Sequence, residues 1–276
     1  MDVGVVRVAE DCDFEKLKSL LENHVGWKLD YHKESTKIWT KSSSDTSFKM
    51  IKIKTIFKDV DPQQMYDVLH DPDYRKVWDD HMIESCDIGC LNPNNDIGYY
   101  ALSCPPPLRN RDFVLQRSWL DTGKEQYILN HSVFHEKFPP RKGYVRAKSH
   151  LTGKVLILSV GFLIRVCQEG GCELGYVSQT DPQGNLPSWM VNRVTQILAP
   201  KMVKRLYKAS LGYKAWKASH NPDLKPWHFP EQMTAPRISI TECVQSEVEK
   251  KHKQIDDGLD ETRVKEKSVL NNLQES

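Results

Sequence analysis

Seven strand-like runs follow one another between Met82 and Thr180, and a long helical pattern comes after them. The runs are Met82–Ile88, Ile97–Ser103, Phe113–Leu120, Gln126–Phe134, Tyr144–Leu151, Val155–Val166 and Glu173–Thr180. Asn92-Pro93-Asn94, Thr122-Gly123, Pro139-Pro140 and Gly170-Gly171 punctuate them as turns. Cys104–Leu108 (CPPPL) must be a loop, because three prolines remove three ladder donors. Strands grouped apart from helices predict an α+β fold rather than a doubly wound sheet.

Upstream, Asp11–Asn23 predicts a first helix, with Phe14, Leu17, Leu20 and Leu21 on one face. Trp27–Tyr31, Lys37–Lys41 and Phe48–Phe57 read as strands. Asp61-Pro62 and Asp71-Pro72 each open a short helix, ending near His70 and Trp78. The last helix is predicted from Pro187 to about Lys217, kinked at Pro200. Met190, Val194, Ile197, Leu198, Val203, Leu206 and Tyr207 form its apolar stripe. A curved antiparallel sheet with this helix across its concave face would bury the stripe and leave a cavity between them.

Composition narrows the class. The chain has 276 residues, with 39 basic against 37 acidic, and no apolar run approaches the length of a membrane span. The longest, Val155–Val166, is interrupted by Ser159, Gly161 and Arg165. The N-terminus has Asp2 and only Val3–Val6 where a signal peptide needs basic residues and a longer apolar core. Neither an integral membrane protein nor a secreted one is expected. Seven cysteines, at 12, 86, 90, 104, 167, 172 and 243, contain no CxxC pair. They are read as reduced thiols of a cytosolic protein. Residues 221–239 read as a packed extension carrying Trp227, His228 and Phe229. Residues 240–276 hold nine acids and six bases and no aromatic, and are expected to be a disordered tail.

No GxSxG elbow, P-loop or dinucleotide fingerprint is present, so no enzyme is expected. His131 and His135 stand about 13 Å apart if extended, too far to share a metal, and read as strand-surface residues. In Asp71–Asp80 (DPDYRKVWDD), Arg75 and Asp79 share a helical face. That spacing fits either a surface ion pair or, beside Tyr74, Val77 and Trp78, a partly buried arginine ready for a phosphate. Tyr99, Tyr100, Phe113 and Trp119 are core residues or a set of ring faces for a cationic amine. The last helix carries seven bases and no acid from Pro187 to Lys217. Trp189, Arg193, Lys201, Lys204, Arg205 and Lys208 suit docking on an anionic membrane. The alternative is a core helix with a solvated basic back. No nucleic-acid motif accompanies the bases, and no nucleic-acid partner is expected.

Four ordered blocks resemble the START family of lipid-transfer domains, in its phosphatidylcholine-transfer branch. They are DPDYRKVWDD, IGYYALSCPPPLRNRDFV (Ile97–Val114), VRAKSH (Val145–His150) and LPSWMVN (Leu186–Asn192). The resemblance spans residues 14–220 and implies a helix-grip fold, a curved antiparallel sheet around a long C-terminal helix, enclosing one lipid. It implies that Arg75, with Asp79 beside it, meets the lipid phosphate, and that Tyr100, Phe113 and His150 occupy the positions of an aromatic choline cage. By alternation His150 shares a strand face with Arg146 and Lys148, whose charges predict a solvent-facing side. Phe113 lacks a hydroxyl and His150 is a smaller, hydrogen-bonding ring. These departures predict a relaxed site that takes phosphatidylethanolamine as well as phosphatidylcholine.

The implied activity is non-enzymatic transfer of one phospholipid between membranes by a cytoplasmic, transiently membrane-associated monomer, with no cofactor and no metal. A lipid sensor that holds its ligand without transferring it is the alternative. Ser239 and Ser246, each followed three residues later by a glutamate, are candidate phosphorylation sites.

Overall fold

A computed structural model describes residues 3–42, 49–149, 160–183, 187, 189, 194–246 and 260–266 of the chain. Helix α1 (Asp11–Glu22) precedes three strands, β1 (Lys28–Lys33), β2 (Thr36–Lys41) and β3 (Met50–Phe57). Helices α2 (Pro62–His70) and α3 (Pro72–Trp78) follow, each with proline in its first turn and an aspartate cap, Asp61 and Asp71. Then come β4 (Met82–Asn92), β5 (Asn95–Leu102), β6 (Asn110–Asp121), β7 (Glu125–Ser132), β8 (Tyr144–Arg146), β9 (Lys148–Ser149), β10 (Val160–Val166), β11 (Cys172–Ser178) and β12 (Thr180–Asp181). Helix α4 (Ala199–Ala218) comes after a π-helical turn at Val194–Leu198. That wider turn lies where Pro200, which has no N–H, interrupts the ladder of the expected continuous helix.

The principal sheet has ten strands, in the order β1-β2-β3-β11-β10-β7-β6-β5-β4, with β8 beside β6. All pairings along that path are antiparallel; only β8 runs parallel to its neighbour. Register places Tyr31, Ile38, Ile53, Tyr176, Phe162, Ile128 and Trp119 in one row across seven strands. This row belongs to the cluster that also holds Met65, Val68, Val203, Leu206 and Tyr213 of the helices. The concave face and the apolar side of α4 therefore make one core, as the sequence predicts for a helix gripped by a sheet.

Helix α1 covers the opposite face. Phe14, Leu17 and Leu21 pack on Tyr127, Leu129, Leu163 and Val177, the alternate residues of the same strands. Two strand glycines allow the close approach. A Cβ at Gly161 would lie 2.6 Å from Leu17 Cδ1, and one at Gly175 2.9 Å from Leu21 Cδ1. Lys52 donates from a fully buried position to the carbonyls of Leu20 and Asn23, satisfying the end of α1.

Several charges lie deeper than their residue types predict. His131 and His135 are buried rather than on a strand surface. His131 donates to the Val5 carbonyl at 2.9 Å, and burial lowers its pKa to about 4. Arg146 does not face solvent: it is 6% exposed and forms a two-pronged contact with Asp112, both bonds 3.0 Å. Lys217, one of the seven bases of the last helix, is buried against Asp71 at 2.9 Å. All seven cysteines are free thiols.

Beyond α4 the chain crosses α2. Asp67 accepts from Lys225 Nζ at 2.7 Å, Trp227 Nε1 at 2.8 Å and His228 Nε2 at 2.7 Å. It then bridges β4, Cys90 donating to the Pro236 carbonyl and Ile238 donating to that of Cys90. This pairing covers part of an edge strand. No described helix is long and apolar enough to cross a membrane.

Candidate functional site

Helix α3 is held in place at its N-terminal turn. One oxygen of Asp71 caps its N-terminus, accepting from the Asp73 and Tyr74 backbone N–H groups. The other accepts from Tyr213 Oη at 3.0 Å and Lys217 Nζ at 2.9 Å of α4. Tyr74 adds a bond from its hydroxyl to the Ala209 carbonyl at 2.7 Å. A seven-residue helix cannot hold itself together in water. These tertiary bonds fix where Arg75, Trp78 and Asp79 stand.

Arg75 and Asp79 do not pair. Asp79 accepts instead from Tyr100 Oη at 2.9 Å. Among the described residues Arg75 has no carboxylate partner. Its guanidinium donates weakly to the Leu69 carbonyl at 3.4 Å and lies 5.6 Å from the Trp78 ring centroid. The Trp78 indole N–H is buried and has no acceptor among the described residues. A half-buried guanidinium without a counter-charge is a ready anion site.

Tyr100 and Phe113 are Cα partners on neighbouring strands, so their rings share the concave face. Their centroids are 6.5 Å apart and their planes inclined by 45°. Burial, and then the charge of Asp79, push the Tyr100 hydroxyl well above its ordinary pKa, while Arg75 pulls the other way. The phenol therefore stays protonated and keeps its bond to Asp79.

A second polar group on this face was not anticipated from sequence. Asp96 and Arg117 are also Cα partners of β5 and β6. They form two bonds, 2.8 Å from Nε and 2.5 Å from Nη2. Arg117 Nη2 also lies 3.3 Å from Asp87. Burial works against the Arg117 charge, but Asp96 outweighs it and raises the pKa. Arg117 is four residues from Phe113, about 13 Å further along the strand. The signal was present: Phe113, Leu115, Arg117 and Trp119 alternate, so the arginine faces inward with an apolar set.

The START family model matches residues 7–217. The chain belongs to the START family. Among curated START proteins, START domain-containing protein 10 of Mus musculus is 41% identical over 262 residues, covering 95% of this chain and 86% of that protein. The phosphatidylcholine transfer protein of Bos taurus is 28% identical over 192 residues, covering 68% and 85%. The crystal structure of human STARD10 matches with a TM-score of 0.79 at 43% identity, over 86% of this chain and 94% of that one. Human StAR-related lipid transfer protein 5, with a TM-score of 0.63 at 18% identity, shares the fold.

The remaining sequence-predicted residues are distributed around this START domain. His150 and Arg193 lie outside the described residues. Lys201, Lys204 and Lys208 are exposed along α4, whereas Arg205 turns toward Asp80 at 3.1 Å. Trp189 is half-buried and donates its indole N–H to the Val264 carbonyl at 3.0 Å. Ser239 is exposed, 2.6 Å from the Thr241 hydroxyl, and Ser246 is half-buried. Among the described residues no cluster could hold a metal ion.

Proposed function

We propose that this START domain binds one phosphatidylcholine or phosphatidylethanolamine against its concave face and exchanges it between membranes. The observation that carries this reading is Arg75, a half-buried cation without a carboxylate partner among the described residues, on the helix whose Asp79 is bonded to Tyr100. Arg75 takes the phosphate. The ring faces of Tyr100 and Phe113 attract the ammonium. His150, by its match to the third cage position, completes the set. It offers a hydrogen-bond acceptor that an ethanolamine N–H can use and a quaternary choline cannot. The names of the curated relatives support a phospholipid cargo, one of them being a phosphatidylcholine transfer protein.

No covalent step is required. Transfer needs a barrier lowered: each methylene leaving the bilayer for water costs about 0.8 kcal/mol, and an apolar interior removes most of that cost. Docking by Trp189, Arg193, Lys201, Lys204, Arg205 and Lys208 on an anionic surface brings the cytoplasmic protein transiently to the bilayer. Phosphate on Ser239 or Ser246 would add negative charge and weaken that attraction.

Native mass spectrometry of the purified protein after exposure to mixed phospholipid vesicles tests the binding half. One phospholipid per chain is expected, of either headgroup. A protein that stays bare removes the headgroup assignment. Fluorescent-lipid exchange between vesicles tests the other half, and a loaded protein that moves no lipid is a sensor instead.

A further inference from the structure

Residues 260–266 lie against parts of the folded body 75 to 152 positions away in the chain. Glu261 is 6% exposed, the one acidic residue after 239 that is buried among the described residues. Its Oε2 accepts from Arg111 Nη2 at 2.6 Å, and its Oε1 from the Arg109 backbone N–H at 2.9 Å. Arg111 is itself 2% exposed. It also donates to the carbonyls of Arg109, Pro182 and Gln183, at 2.6, 3.0 and 3.2 Å. Three residues on, the Val264 carbonyl takes the Trp189 indole N–H at 3.0 Å, and the Val264 N–H closes a turn onto the Glu261 carbonyl at 3.1 Å.

One short segment thus joins the start of β6, the turn after β12 and the tryptophan that precedes α4. A buried guanidinium needs its counter-ion. Here that counter-ion sits on a strap rather than on the sheet, so it can leave without unravelling a strand. What displaces a carboxylate from an arginine and a carbonyl from an indole N–H is a surface that offers both phosphates and an interfacial layer. An anionic bilayer is such a surface.

We infer that residues 260–266 form an intramolecular strap, seated through Glu261 on Arg111 and Val264 on Trp189, that competes with the anionic bilayer for this end of the molecule. The inference rests on the docking part of the proposed function. It makes the strap an autoinhibitory contact: removing it strengthens membrane binding.

The test uses the full chain and phosphatidylserine-containing vesicles, with two readouts, amide hydrogen exchange of 260–266 and vesicle co-sedimentation. In the wild-type protein, vesicles are expected to speed exchange in the strap. E261Q removes the charge and is expected to speed exchange there about tenfold without vesicles, the loss of one charge-assisted bond, and to raise the vesicle-bound fraction. V264P removes the N–H that closes the turn of the strap, substitutes no residue of the body, and is expected to act in the same direction. Faster strap exchange with unchanged or weaker vesicle binding in V264P overturns the inference, as does wild-type strap exchange that vesicles leave untouched. Neither readout measures lipid loading. A protein that binds vesicles through this competition but carries no phospholipid leaves the strap standing and removes the transfer reading.

Discussion

Tyr100 donates its hydroxyl to Asp79 across 2.9 Å, and that bond decides which charge of α3 stays free. The carboxylate bonded to a phenol from β5 is not paired with the guanidinium one helical turn earlier. Tyr100→Phe keeps the ring face and removes the donor. Asp79 then gains a reason to pair with Arg75, and phospholipid occupancy should fall about threefold, less than one full hydrogen bond. Tyr100→Ala also removes the ring and should lower occupancy about tenfold or more. Native mass spectrometry across a lipid titration separates the two. Equal occupancy in wild type and Tyr100→Phe would show that the hydroxyl has no part in the site.

Arg75 contributes little to the fold. Its guanidinium makes one long bond to the Leu69 carbonyl and lies near the Trp78 ring. Arg75→Met should therefore change stability by less than about 1 kcal/mol while lowering phospholipid occupancy about tenfold, the loss of a charge-assisted contact. Urea unfolding and lipid titration measure the two effects separately. A large stability loss with normal loading would assign Arg75 to the scaffold.

Reading α3 from sequence succeeded where the chemistry is local. Asp71-Pro72 fixed the helix start, whereas Asp79 caps the helix just past its last residue, Trp78, outside the helical spacing. What failed was the partner of each charge, because partners come from distant strands. Asp79 meets Tyr100, 21 residues on; Lys217 meets Asp71, 146 residues back. Arg146 looked solvent-facing because its counter-ion, Asp112, lies on a strand that runs parallel beside it, a pairing no alternation pattern reveals. The two sheet faces were legible as alternation. Which face the helix would grip was settled only by the row from Tyr31 to Trp119.

Asp67 supplies a pH-dependent clamp on the segment after α4. Burial acts to raise its pKa, but hydrogen bonds from His228, Lys225 and Trp227 outweigh burial and leave it lowered. A carboxylate whose folded value is depressed contributes stability above its unfolded pKa, near 4, and loses it as pH falls through the folded value. Asp67→Asn breaks the cluster and should cost about 3–5 kcal/mol at neutral pH. The gap between wild type and variant should narrow as pH drops from 5 toward 2, followed by urea unfolding at each pH. A gap that stays constant across that range would mean the charge of Asp67 is not what holds Lys225, Trp227 and His228.

Gly161 tests whether α1 is held by close approach rather than by area alone. A Cβ there would meet Leu17 Cδ1 at 2.6 Å, and Leu17 is fully buried, so its side chain has nowhere to retreat. Gly161→Val should cost about 1–3 kcal/mol by overpacking. Leu17→Ala alone should cost about 2–5 kcal/mol by opening a cavity. Together they should cost less than their sum, because each relieves the other's defect, by a coupling of about 1 kcal/mol or more. Additive costs would show that α1 shifts freely on the sheet. Phospholipid occupancy should be unchanged in Gly161→Val, since α1 packs on β7, β10 and β11 across one face of the sheet and Tyr100 and Phe113 lie on β5 and β6 on the other.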